Sequence, residues 1–153
     1  MFDDLIQELK KPEYQNLSDV QAADLINAKE ITIRKPISVV KIKSYAIKEG
    51  FYADIEDACL NSDSSKRRLC KNIMAWIADP AGKIESVDFD DATTQSMLLA
   101  LKNFGLITST QINAIDLMAN KTLRWVDSVG IGTCGIGFIQ NARKAISKEM
   151  TNA

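Results

Sequence analysis

Apolar residues in this chain recur at helical spacing, but only in short runs, and a capping or breaking residue closes each run after a few turns. Phe2, Leu5, Ile6 and Leu9 form the first stripe, over residues 3–10, and Pro12 interrupts it. Ser18 then suits the N-cap of a helix over 19–28, with Asp19 set against the positive end of its dipole. Short helices with one apolar stripe must bury that stripe against another element, so the pattern demands helix-on-helix packing.

The same punctuation runs to the end. Ser38 is placed to cap a helix whose face is Val39, Ile42 and Ala46, with Val40 and Ile47 beside them, and Gly50 stands at its C′ position. Residues 51–60 follow with Phe51, Ile55 and Cys59 inward, and the polar run 61–65 is a loop that caps the next helix. There Leu69, Ile73, Trp76 and Ile77 hold the period until Asp79-Pro80-Ala81-Gly82 stops it. Asp90 and Asp91 open the clearest helix, lined by Met97, Leu98, Leu101 and Phe104 and ended by Gly105. Ile107, Thr108 and Ser109 read as staple and cap for 110–119, with Ile112, Ile115 and Met118 facing in. Two more turns are expected over 123–129, then a last helix over 136–150 with Ile139, Ala142, Ile146 and Met150 on one face. Strand character is confined to Ile31-Thr32-Ile33-Arg34, which Pro36 ends, and to a connector at 84–89.

These signals predict a mainly α fold: a compact bundle of seven or eight short helices in one domain, 1–153, with at most a minor two-stranded ribbon. Within it a degenerate repeat aligns Ala22-Ala23-Asp24-Leu25-Ile26 with Ala114-Ile115-Asp116-Leu117-Met118 and Lys29 with Lys121, which suggests halves at 14–61 and 90–150 around a central helix at 64–79.

Composition narrows function mainly by exclusion. The chain has no histidine, which removes histidine-dependent triads and Cys/His zinc sites. Cys59, Cys70 and Cys134 are scattered and read as buried or half-buried thiols of a reducing compartment. No cofactor or metal is expected, and chelators are expected to leave the melting temperature unchanged. The opening MFDDLIQELKK lacks the basic and unbroken apolar regions of a secretory signal, and no window approaches the ~20 apolar residues of a membrane span, so the expectation is synthesis and residence in the cytoplasm with no membrane partner. Nineteen bases against twenty acids give a net charge of −1 and no whole-molecule field for nucleic acid.

Local patterns are correspondingly bland. Gly130-Ile131-Gly132-Thr133-Cys134-Gly135 satisfies G-x-G-x-x-G, but no buried strand precedes it and no strand with a ribose-binding acid can follow, so the glycines read as a tight turn between the last two helices. Thr110 to Lys144 contains helix, turn and helix, yet the would-be recognition helix opens with Ile136-Gly137-Phe138-Ile139 instead of base-reading polar groups. Asp88, Asp90 and Asp91, like Asp54, Glu56 and Asp57, sit in cap or exposed contexts rather than as a catalytic pair. Ser44 with Lys48, and Ser147 with Lys148, lack any oxyanion motif. Bases do concentrate: from Lys29 to Lys48 there are six, Lys29, Arg34, Lys35, Lys41, Lys43 and Lys48, against Glu30 alone, and Lys66, Arg67, Arg68 and Lys71 form a second run. Tyr45, Phe51 and Tyr52 lie at helix spacing and read as packing residues, so nucleic-acid binding is not expected, and Lys41, Lys43, Lys66, Arg67 and Arg68 are assigned instead to a protein-interaction surface.

The run from Leu17 to Ala28 followed by Arg34-Lys35-Pro36, the step Gly105-Leu106-Ile107-Thr108, and the close Trp125-Val126-Asp127-Ser128-Val129-Gly130-Ile131-Gly132 before Asn141-Ala142-Arg143 resemble a family of small, mostly uncharacterised tailed-bacteriophage proteins. The similarity extends from about Tyr14 to Lys144, and Trp125 with the glycines around Cys134 stands where relatives are more polar. The family lies near virion and tail-assembly genes, so the resemblance implies a non-enzymatic phage protein, first a minor virion or tail-assembly component. The alternative is an accessory protein that binds and inhibits a host defence or transcription protein. Its partners would then be phage structural proteins or a host protein, with homo-oligomers allowed, in the host cytoplasm or incorporated into the virion.

Overall fold

The structure is a computed structural model and describes residues 1–78 and 83–153. It is mainly helical, at 64 %. Among the described residues there are nine helices: α1 (Phe2–Leu9), α2 (Asp19–Ala28), α3 (Val39–Glu49), α4 (Phe51–Ala58), α5 (Ser64–Ile77), α6 (Ala92–Asn103), α7 (Ser109–Met118), α8 (Trp125–Ser128) and α9 (Ile136–Thr151). A 3-10 turn spans Pro12–Tyr14. Four short strands, β1 (Glu30–Arg34), β2 (Ile37–Ser38), β3 (Ser86–Val87) and β4 (Asn120–Arg124), form two ribbons, β1 with β4 and β2 antiparallel to β3.

Helix boundaries follow the punctuation. Ser18 Oγ accepts from the Gln21 amide at 3.3 Å while Gln21 Oε1 accepts from the Ser18 amide at 3.0 Å, and Thr108 with Gln111 repeats this reciprocal box at 3.1 and 2.9 Å. Asp63 Oδ1 accepts from the amides of Ser65 and Lys66, and Asp91 Oδ2 from those of Thr93 and Thr94, which satisfies donors that a helix start leaves open. Gly50 and Gly105 end α3 and α6 at φ of 86° and 73°, the left-handed region that L side chains avoid. A Cβ at Gly50 would meet nothing within 4 Å, so Gly50→Ala isolates the backbone cost. The expected loss is about 1–2 kcal/mol by urea unfolding; an unchanged midpoint would show that the turn relaxes.

The chain divides into two compact units, one of Met1–Ile33 with Thr122–Ala153 and one of Arg34–Lys121, and it passes between them within β1 and within β4. In the first, α9 packs on α1 and α2, and Leu5, Ile26, Val126 and Ile139 are fully buried. In the second, α3, α4, α5 and α6 pack in sequence around Ile37, Phe51, Ile55, Ile73, Leu101 and Ile115. These divisions do not follow the expected halves at 14–61 and 90–150. The first core joins both ends of the chain, because the stripes of α1 and α2 find the stripe of α9, and no local signal says which stripe meets which.

Other differences have local causes. The turns expected over 123–129 are strand as far as Arg124, because this segment pairs with β1, and only α8 is helical. Among the described residues the ribbons number two rather than one, since Ile37–Ser38 is too short to show a period of its own. Ser38 stands before α3 but its hydroxyl makes no cap bond; it lies in β2 opposite Ser86. Val40 at 72 %, Ile47 at 55 % and Met150 at 76 % exposed face solvent, off the stripes to which they were assigned. The stop at Asp79-Pro80-Ala81-Gly82 lies outside the described residues. The repeat exists as an element pattern but in another register. A ten-residue helix, one linking residue and a five-residue strand occur in α2–β1 and again in α7–β4, aligning Ser18 with Thr108 and Gln21 with Gln111, two residues from the alignment of Ala22 with Ala114.

Candidate functional site

Most polar groups drawn inward are occupied in holding the fold. In the first unit Glu8, 4 % exposed, accepts at Oε2 from Lys11 Nζ at 2.6 Å and at Oε1 from both Tyr14 Oη, at 2.9 Å, and Lys29 Nζ. Burial alone would push the Glu8 carboxyl up, but the bonds from Lys11, Lys29 and Tyr14 outweigh it and hold the pKa below its ordinary value. The Tyr14 hydroxyl moves the other way, raised by burial and then by its bond to Glu8. Arg143 of α9 donates to Asp19 Oδ1 at 2.7 Å and to the carbonyls of Tyr14 and Leu17 at 3.0 and 2.7 Å, tying the last helix to the start of α2.

The glycine turn is fixed in the same manner. Asn27 Nδ2 donates to the Cys134 carbonyl at 2.9 Å, and Asn27 Oδ1 accepts from the Cys134 amide at 2.8 Å, so one side chain clamps the loop before α9 as a strand neighbour would. Gly130 and Gly132 take positive φ, 76° and 75°, and the Ile131 and Gly132 amides both donate to the Val126 carbonyl. The segment is a turn between α8 and α9, as its glycines imply. Cys134 and Cys70 are buried, burial pushes both thiols up, and Cys59 is half-buried.

In the second unit Arg34 is the hub. It forks onto Asp90 at 3.1 and 2.7 Å, reaches Asp116 Oδ1 at 2.6 Å, the Asp116 carbonyl at 3.1 Å and Asn120 Oδ1 at 2.9 Å, and lies 5.6 Å from the centre of the Phe89 ring. The guanidinium bond holds the Asp90 carboxyl below its ordinary value. Arg34→Gln should therefore return the Asp90 titration upward toward the ordinary carboxylate range, measured by carboxyl NMR; a titration that stays low would assign the shift to another partner. Asp88 accepts from the Asp90 amide and Asp91 caps α6, so all three of these acids are occupied by structural contacts.

Beside this hub the second unit contains a pocket of about 80 Å³ whose exposed lining is wholly apolar. Phe51, Ile55 and Ile73 are buried in its wall, while Trp76, Val87 and Met97 are half-buried, so part of the lining reaches the surface. Thr94, 8 % exposed, contributes the one polar residue among the described residues around it. A water molecule needs two to four polar partners, which this lining does not offer, so the space suits apolar atoms.

Two of the helices in its wall carry the predicted interaction surface. Lys41 is exposed on α3, and Lys43 on the same helix lies 5.6 Å from the centre of the Tyr52 ring. On α5 Lys66 and Arg67 are half-buried and Arg68 is exposed; Arg67 Nη1 donates to the Asn61 carbonyl at 2.8 Å, closing the polar loop. Helices α3 and α5 pack against each other, and between them they carry seven bases and one acid, Glu49. Among the described residues Lys41, Lys48, Lys66, Arg68 and Lys71 take part in no hydrogen bond or ion pair.

Comparison with protein-family models, with curated proteins and with solved structures finds no match. No described helix is long and apolar enough to cross a membrane.

Sequence reading assigned the bases of α3 and α5 but missed the pocket and the Glu8 cluster. One signal for Glu8 was present, since it stands on the stripe between Leu5 and Leu9, where an acid has no reason to be unless it is paired. The pocket left no such trace, because its apolar residues look like any others in a core. Ile136 and Phe138, the apolar residues that open the last helix, are 45 % and 43 % exposed, and Phe138 meets the ring of Phe2 edge-on at 6.5 Å.

Proposed function

We propose that this chain is a non-enzymatic tailed-bacteriophage protein that works by binding other proteins, as a minor virion or tail-assembly component. The observation that supports binding is how the polar groups are used. Glu8, Asn27, Arg34 and Arg143 are tied into the fold, whereas five of the seven bases of α3 and α5, Lys41, Lys48, Lys66, Arg68 and Lys71, make no hydrogen bond or ion pair among the described residues, and they and the apolar pocket are available to a partner. Resemblance to the phage family through Leu17-Ser18-Asp19, Gly105-Leu106-Ile107-Thr108 and the 125–132 segment supplies the setting.

Mass spectrometry of purified particles and of assembly intermediates tests the reading, and the protein is expected in one or both. Its repeated absence from both would overturn the structural role. Affinity purification from infected cells that returned host defence or transcription machinery would transfer the role to a host-directed inhibitor. Duplex DNA is expected to bind no tighter than about 10⁻⁴ M at physiological salt, since the bases lie within a chain of net charge −1. Submicromolar, strongly salt-dependent affinity in a gel-shift titration would contradict that.

A further inference from the structure

We propose that the apolar pocket of the second unit is the docking point for one aliphatic side chain, Val, Leu or Ile, of an acidic segment of the partner protein. The inference rests on the protein-binding reading above and adds the chemistry of the partner. Size argues first. A space of about 80 Å³ is roughly half of a ~150 Å³ apolar cavity that takes up the six carbons of benzene, and so suits about three or four carbons. That is a branched aliphatic side chain; it is too little for a metabolite or for the length of a lipid tail. The lining argues second, because it offers nothing to pair a polar head inside, so the polar remainder of the occupant must lie outside the pocket.

Charge argues third. Helices α3 and α5, which supply Val39, Ile42, Ile73, Trp76 and Ile77 to the lining, carry seven bases against Glu49, and five of those bases have no hydrogen bond or ion pair among the described residues; α4, which supplies Phe51 and Ile55, carries Asp54, Glu56 and Asp57, so an acidic chain is favoured along α3 and α5 and not along α4. A chain lying along α3 and α5 is favoured if it carries Asp or Glu beside its aliphatic anchor and opposed if it carries Lys or Arg. A single buried anchor that carries most of the binding energy is also the usual arrangement at protein interfaces.

Trp76 lines the pocket, and the other tryptophan, Trp125, lies in the first unit, so the full-length Trp125→Phe protein reports on the pocket by fluorescence. The probes are three short peptides: a Leu flanked by Asp and Glu, the same peptide with Ala for Leu, and the Leu peptide with Lys for its acids. The acidic Leu peptide is expected to shift Trp76 emission saturably, with about tenfold loss of affinity for the Ala form and again for the Lys form. Val87→Phe, which fills the pocket, should abolish the response while circular dichroism stays native; if that variant fails to fold, Thr94→Ile carries the same test. Lys41→Glu with Arg68→Glu should weaken the acidic peptide and make its binding less dependent on salt.

Several results would overturn the proposal: no Trp76 response at millimolar peptide, equal binding of the Leu and Ala forms, or binding that survives a folded, filled pocket. Saturation by hexanoate with no preference for the peptide would give the site to a small anionic ligand. A concentration-dependent dimer erased by Val87→Phe would give it to a second copy of this chain. Failure here alongside recovery of the protein in phage particles would leave protein binding standing and remove only the pocket from it.

Discussion

Replacing Glu8 with alanine is expected to cost about 3–5 kcal/mol, the range for removing one partner of a buried ionic group, measured by urea unfolding at pH 7. The loss exceeds that of the ion pairs themselves because the Tyr14 hydroxyl would stay behind without its acceptor and the Lys29 ammonium, 26 % exposed, would keep only Glu13 at 3.9 Å. Glu8→Gln keeps an acceptor for Tyr14 and should cost less than Glu8→Ala. Equal losses would mean that charge alone matters at this site. The pH dependence has a fixed sign. The folded pKa of Glu8 lies below its unfolded value, so its contribution is complete above the unfolded value of ~4.3 and is lost as pH falls through the folded pKa. In Glu8→Gln the fall in stability below pH ~4.3 should be shallower than in the parent protein; parallel curves would exclude Glu8 as a source of acid sensitivity.

The second large effect is expected at Phe51. Its ring is 4 % exposed at the start of α4, meets Tyr45 edge-on at 5.9 Å and forms part of the pocket wall. Phe51→Ala removes the buried ring and enlarges a space that already exists, so the loss should fall at about 3–5 kcal/mol, as for other buried aromatics. Hydrogen exchange should place the loss of protection in α4 and in α5, which packs against it. A loss below ~1 kcal/mol would show that the second core collapses around the missing ring. Phe51→Leu retains most of the apolar volume and should cost well under half as much.

The limits of sequence reading can be seen in the same residues. Helix starts and stops were legible because their causes are local. Ser18 and Gln21, Thr108 and Gln111, Asp63 and Asp91 bond to backbone within three positions of themselves, and Gly50 and Gly105 answer to their own φ angles. What each polar residue does was less legible wherever its partner lies far along the chain. Arg34 read as the end of a strand and one member of a basic segment, yet its acceptors Asp90, Asp116 and Asn120 are 56, 82 and 86 positions away. Asn27 read as a helix residue, and its function is to clamp Cys134. The bases of α3 and α5 were legible as charge but not as the walls of a pocket, since that depends on the packing of the two helices.

Sequence by itself determined a mainly helical chain with no histidine chemistry, the ends of most of its helices and the conformation of its glycine turns, because period, capping and φ preference act over a few residues. Tertiary structure decided the rest. It joined α9 to α1 and α2 in one core, and drew the segment before Trp125 into a strand against β1 instead of a helix. It also closed most of the space between α3, α5 and α6 while leaving one apolar gap. Hydrophobic burial is non-directional, so every apolar stripe in the chain could satisfy any other, and only the packed shapes choose among them.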